Sequence, residues 1–144
     1  MEITQQYKPT LNSLLSVIGG LVFIYLSIVV TGLGAAIAIP ESILNPMATF
    51  SLTVALSVVD LITIGIPLAI CFVMYAWLLK SFLKTTNYYL VAAPYVMFLL
   101  FSFLEPGFSS NYSVYYVAQV IAKNLPLLVC VYLLGKASNN KSAA

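Results

Sequence analysis

The sequence predicts an all-α integral membrane protein: a four-helix transmembrane bundle with both termini cytoplasmic and no soluble domain. Three observations lead there. Of the 144 residues, 62% are hydrophobic and only 7% are charged, with a mean hydropathy of +1.03. A soluble domain carries about 25% charged residues, so too few charges remain here to clothe a water-facing surface. The apolar residues also gather into four segments, each bounded by polar or turn-forming residues. Finally, the lysines are spread unevenly over the connections, which orients the spans.

The first segment runs from about residue 11 to 39 and is closed by Pro40-Glu41. The second runs from about 46 to 79 and is closed by Lys80, and the third from about 88 to 104, ending at Glu105-Pro106-Gly107. The fourth covers about 114 to 135 and stops at Lys136; the tail from 137 to 144 reads as disordered. Crossing the hydrocarbon takes about 20 helical residues. The first two segments exceed that and must tilt, kink or protrude, whereas the third is short. The N-terminal run is about twice the core of a signal peptide. It is expected to remain as a span, despite the small residues Ala36 and Ala38 near its end.

With four spans, Lys8, Lys80, Lys84, Lys136 and Lys141 fall on one side, and Glu41 and Glu105 on the other. Positive charge stays inside, so the expected location is a cytoplasmic (inner) membrane with both ends in the cytoplasm. Trp77, Tyr88 and Tyr89 would mark the inner interface, and Tyr112, Tyr115 and Tyr116 the outer one. Lipid removes the hydrophobic drive between helices, so packing must use small residues and interhelical hydrogen bonds. The first segment supplies Ser16, Gly20, Ser27, Thr31 and Ala35 on one face, and the pairs Gly32–Ala36 and Gly34–Ala38 repeat the spacing. The same rule serves packing within one chain or against a second copy.

Polar residues interrupt two of the segments in stripes. Thr53, Ser57, Asp60, Pro67 and Cys71 share a face of the second, and Tyr112, Tyr116, Gln119, Lys123, Pro126 and Cys130 share a face of the fourth. At 1.5 Å per residue, Lys123 lies about 20 Å from Lys136 and Asp60 about 30 Å from Lys80, which puts both in the outer half of the membrane. A lone lysine at that depth costs a few kcal/mol. Asp60 is the one acidic residue inside an apolar segment, so Lys123–Asp60 is the expected pair, with Glu105 as the rival. Gln119, Asn124, Ser57 and Tyr116 are the expected hydrogen-bonding neighbours. Such a pair either pins helix register or handles ions, protons or substrate. Pro67 and Pro126 each remove a helical N–H, freeing a carbonyl near Thr63 and Ala122. Kinks of this kind are tolerated in many membrane helices and build midplane sites in some transporters.

Several chemistries lack their residues. Histidine is missing, and with it the commonest general base and metal ligand. There is no phosphate-binding glycine loop and no nucleophile elbow. Cys71 and Cys130 lie far apart and form no CxxC motif. Six dispersed lysines do not make a nucleic-acid footprint. The expectation is therefore a protein that is not an enzyme and takes neither cofactor nor metal. Its expected partners are the lipid bilayer and other membrane-protein subunits or itself. The leading functional expectation is a non-enzymatic subunit or accessory of a membrane assembly. The alternatives are a small transporter or channel built on Asp60 and Lys123, or a membrane immunity or exclusion protein.

Overall fold

The computed structural model describes residues 3–83, 87–104 and 114–142, with side chains over 11–83, 87–101 and 116–138. Within them every regular element is helical: α1 (Ile3–Ala35), α2 (Glu41–Phe50), α3 (Leu52–Asp60), a π-turn (Leu61–Gly65), α4 (Ile66–Phe82), α5 (Tyr88–Leu104) and α6 (Val114–Ser142). Three stretches are long and apolar enough to cross a membrane: Leu11–Ala35, Leu52–Phe82 and Tyr116–Ser138. α5 is apolar but shorter, at 17 residues.

Each helix ends for a local reason. α1 closes through three-residue bonds from Ala36 N to Leu33 O and from Ile37 N to Gly34 O, and Pro40 disfavours helix in the residue before it. Pro40 then starts α2, its carbonyl accepting from Ile43 N at 3.0 Å, and Glu41 in the first turn complements the positive end of the helix. Ser51 is extended (φ −164°, ψ 122°) and serves two helices. It ends α2 and caps α3, its hydroxyl oxygen accepting from Val54 N at 3.5 Å. Asn87 begins α5 in the same way, its Oδ1 accepting from Tyr89 N at 3.1 Å.

The helices alternate in direction. Gly19 of α1 lies against Tyr75 and Leu79, and Gly34 against Thr63 and Ile64, so α1 runs opposite to the α3–α4 rod. Tyr95 of α5 reaches Asn124 of α6 while Tyr89 lies against Gly135, so α5 and α6 are antiparallel. One end of the bundle thus carries α2, and the other carries Lys80 and Lys136. The core is Phe23, Leu68, Phe72, Ala76, Val91, Ala92, Tyr95, Leu127 and Val131. Phe23 is its hub: it meets Phe72 edge-on at 5.1 Å between ring centroids, Tyr95 at 5.7 Å, and stacks on Tyr75 at 5.9 Å. Edge-on and offset stacking are the favourable aromatic geometries.

Glycines set how closely the backbones approach. A Cβ on Gly20 would stand 2.5 Å from the Val91 carbonyl oxygen and 2.7 Å from the Pro94 ring. A Cβ on Gly34 would collide with the Thr63 carbonyl oxygen, and one on Gly65 would stand 3.0 Å from that of Lys123 and 3.2 Å from that of Ala122. Each contact lies at or one turn before a proline. The acceptors opposite Gly34 and Gly65 include Thr63 and Ala122, whose helical donors would be residues 67 and 126, both prolines. The small residues Ser16, Ser27 and Thr63 are buried and satisfy their hydroxyls on their own helices, bonding Asn12 O at 2.8 Å, Ile24 O at 2.6 Å and Val59 O at 2.9 Å.

Several boundaries depart from expectation. The second apolar segment is not one helix from 46 to 79: it breaks at Ser51, and residues 46–50 belong to the separate helix α2. α1 stops at Ala35 rather than 39 and extends back to Ile3. α6 does not stop at 135 but continues to Ser142, so residues 137–142 of the expected disordered tail are helical. Alanine and lysine are good helix formers, and lysines complement the negative end of a helix. On α1, Gly20, Ser16, Ser27 and Gly34 face inward, but Gly32 and Ala35 are exposed, as are Ala36 and Ala38 just beyond its end. Glu105 and Tyr112 lie outside the described residues, as does the side chain of Tyr115.

Opposite signs are expected for two kinds of glycine substitution. Gly20→Ala and Gly34→Ala should each destabilise by about 1–3 kcal/mol through overpacking. Gly32, whose added Cβ would meet nothing within 4 Å, should gain up to about 1 kcal/mol on substitution by alanine. Denaturant titration in micelles followed by circular dichroism measures both.

Candidate functional site

The polar residues expected to cluster do so only in part. Gly65 packs directly on the α6 backbone at Lys123, so these two residues share a level. Asp60 sits five residues earlier, roughly 7 Å further toward the α2 end. The lysine stem can bridge such an offset, and the charges of Asp60 and Lys123 interact. Both residues are half-buried. Pairing a carboxylate with the ammonium offsets part of the cost of holding either in an apolar bundle.

The expected neighbours of Lys123 behave differently from one another. Asn124 does not serve the lysine. It is buried, 4% exposed, and its Oδ1 accepts from the Tyr95 hydroxyl at 2.6 Å while its Nδ2 donates to Val120 O at 2.8 Å. Adjacent residues on a helix point about 100° apart, and this turns Asn124 toward α5. Ser57 does not serve it either: its Oγ is buried without a hydrogen-bond partner. Gln119 is half-buried on α6. Tyr116 lines the same cavity as Lys123.

That cavity, about 220 Å³, is lined by residues of α1, the π-turn, α4, α5 and α6. Ser27, Thr31, Tyr95 and Tyr116 bring hydroxyls to its wall, and Lys123 is the one charged residue among the described lining residues. Asp60 does not line it. Lys123 thus lies between two surroundings, Asp60 at the end of α3 and a mostly apolar chamber in the same half of the bundle.

The stripe expected on the second helix is divided by the π-turn. Ile66 N bonds back to Leu61 O, five residues earlier, which inserts an extra residue into the turn and rotates the succeeding helix by about 100°. Pro67 explains the widening, because its ring would clash with the carbonyl four residues earlier in a regular helix. Asp60 and Ser57 lie on the part packed against α6, whereas Pro67 and Cys71 line a groove shared with Leu26 of α1. Pro126 and Cys130 line a separate groove with Ile66, Ile70 and Met74. The prolines and cysteines therefore do not join the Lys123 site.

Two tyrosines were absent from the sequence-based site. Tyr75 donates to Gly19 O at 2.7 Å, joining α4 to α1, and Tyr95 joins α5 to α6. The signal for them is chemical: a tyrosine deep in an apolar helix needs a partner for its hydroxyl. Among the described residues no group of three or more Cys, Asp or Glu residues is placed to hold a metal ion.

Tyr95→Phe and Asn124→Leu should each destabilise the bundle, and the double variant should lose less than the sum. A double-mutant cycle is expected to give a coupling of about 0.5–2 kcal/mol. Strict additivity would remove this bond from the interactions that hold α5 to α6.

No protein-family model matches this chain, and neither a curated protein nor a solved structure is detectably similar to it.

Proposed function

We propose that the chain is a four-pass protein of a cytoplasmic-type membrane, with both ends inside, acting without catalysis as a subunit or accessory of a membrane assembly. One observation carries the reading. In the apolar windows of the three long helices only 22–33% of residues are buried by the rest of the chain. The remaining faces carry large apolar side chains such as Leu14, Tyr25, Met74, Trp77 and Tyr132, and such faces call for lipid or neighbouring apolar helices. Gly32, open on its outer side beside the exposed Ala36, is the kind of small-residue surface on which another membrane helix packs closely.

α5 supplies the fourth crossing. Its 17 residues reach about 25 Å, at the short end of membrane spans, and its antiparallel course beside α6 favours passage through the full thickness. The exposed Lys80 and Lys136 at one end, with Lys8, Lys84 and Lys141 on the same side by sequence, favour that end as cytoplasmic. A second reading, a small transporter or channel, is favoured by the cavity at Lys123 with Asp60 beside it.

Cysteine labelling tests the topology. In a Cys71→Ala, Cys130→Ala background, Glu41→Cys should react with an impermeant maleimide from outside the cell and Lys136→Cys only after permeabilisation. Native mass spectrometry from lipid discs tests assembly, with more than one chain per particle, or a bound membrane partner, expected. A strictly monomeric and partnerless chain would overturn the subunit reading. Abolished solute flux in Lys123→Met and Asp60→Asn liposomes, with folding intact, would favour the transporter instead.

A further inference from the structure

We infer that the cavity at Lys123 is a binding site for a singly charged oxyanion carried on an apolar chain: the carboxylate of a fatty acid or the phosphate of an acidic lipid. The inference rests on the bundle lying in lipid, as proposed above, and goes beyond it by naming an occupant.

The charge of the chamber comes first. Lys123 is the one charged group on its described lining, and the carboxylate that interacts with that lysine, Asp60, lies outside the chamber wall. A visiting molecule therefore finds the lysine side chain on the chamber wall and Asp60 off it. Two of the wall hydroxyls are already committed as donors, Ser27 to Ile24 O and Tyr95 to Asn124 Oδ1. Lys123 brings the one positive charge on the described wall, and one ammonium with three N–H groups suits one negative charge.

The remaining wall sets the other half of the ligand. Ile64 and Leu68 close the chamber on the inside, and both are buried. Ile28 and Phe98 line it too, yet are 53% and 44% exposed on the outer surface of the bundle. The chamber is thus reached sideways, past apolar residues that face the surrounding lipid. An amphiphile already dissolved in the membrane has this route, and its chain can stay on Ile28 and Phe98 while its head enters. A free aqueous anion gains nothing from that entrance. A volume of about 220 Å³ accommodates a headgroup-sized oxyanion with the first carbons of its chain.

The geometry also sets up a competition. Asp60 and the incoming oxyanion would share one ammonium, so removing either charge moves affinity in a defined direction. Lys123→Gln should weaken retention at least about tenfold, the scale of one hydrogen bond to a charged group, and Lys123→Arg should retain most of it. Asp60→Asn should strengthen retention, because the intramolecular competitor is gone. A purely structural pair would not give opposite signs for its two members.

The test uses the full chain in discs of phosphatidylcholine. Oleate is titrated in one arm, phosphatidylglycerol in a second and inorganic phosphate alone in a third, with bound molecules counted by native mass spectrometry. Circular dichroism on each variant scores folding, and recovery of the chain in the membrane fraction is scored separately, so a failed membrane reading is distinguishable from a failed site. Retention of one oleate or one phosphatidylglycerol per chain supports the inference and identifies the source. Three results overturn it: no retention by the wild-type chain, equal retention by folded Lys123→Gln, or retention of inorganic phosphate as readily as of either amphiphile.

Discussion

The bundle depends on how closely its backbones can approach at three glycines. Helices immersed in apolar surroundings gain little by hiding apolar side chains from one another, so association relies on close packing and a few directed bonds. Gly20 and Gly34 supply the packing at positions where a Cβ would strike a main-chain carbonyl or a proline ring, and Gly65 where a Cβ would crowd two main-chain carbonyls. Proline weakens a helix locally by leaving a carbonyl without its donor. Here that weakness coincides with backbone-to-backbone approaches: Gly34 covers Thr63 before Pro67, and Gly65 covers Ala122 before Pro126. A carbonyl facing the Cα of a glycine can make a weak C–H···O contact, which an exposed one in hydrocarbon could not.

These contacts place the other parts of the bundle in turn. The approach at Gly65 fixes α6 against the π-turn, which sets Lys123 level with the widest part of the rod and Asp60 a turn and a half away. The approach at Gly20 brings α5 onto α1 and lets Tyr95 meet both Phe23 and Asn124. A chamber remains on the α2 side of this waist, with Ser27 and Thr31 of α1, Leu99 of α5 and Tyr116 of α6 on its wall. The directed bonds add register: Tyr75 and Tyr95 each tie a helix to one particular atom of its neighbour.

Much of this is legible in the amino-acid order, and the rest is hidden for identifiable reasons. The start of α5 at Tyr88 is readable because Asn87, a capping residue, ends the polar connection before it. That Asp60 and Lys123 stand out is readable because each is alone of its sign within an apolar segment, and the structure places them in the same half of the bundle. The break at Ser51 is not, since apolar residues run on either side of it and Pro46 resembles a helix start. Asn124 is misplaced by sequence because adjacency along the chain is not adjacency in space: consecutive helical residues diverge by about 100°. The π-turn leaves only the trace that any proline leaves. Nothing in the order of residues 61–65 announces an extra residue per turn.

The π-turn carries a consequence for how the chain tolerates change in length. A rod of uniform α-helix that loses one residue must rotate everything on one side of the loss, exposing what was inside. Residues 61–65 already hold one residue more than a regular turn requires, so a deletion there can be absorbed by tightening to ordinary helical pitch. The half bearing Asp60 would then keep its angle to the half bearing Phe72, and the carboxylate would stay on the side packed against α6. This short stretch is an angular buffer between the two halves of the rod, able to give up a residue without turning the acidic half away from its neighbour.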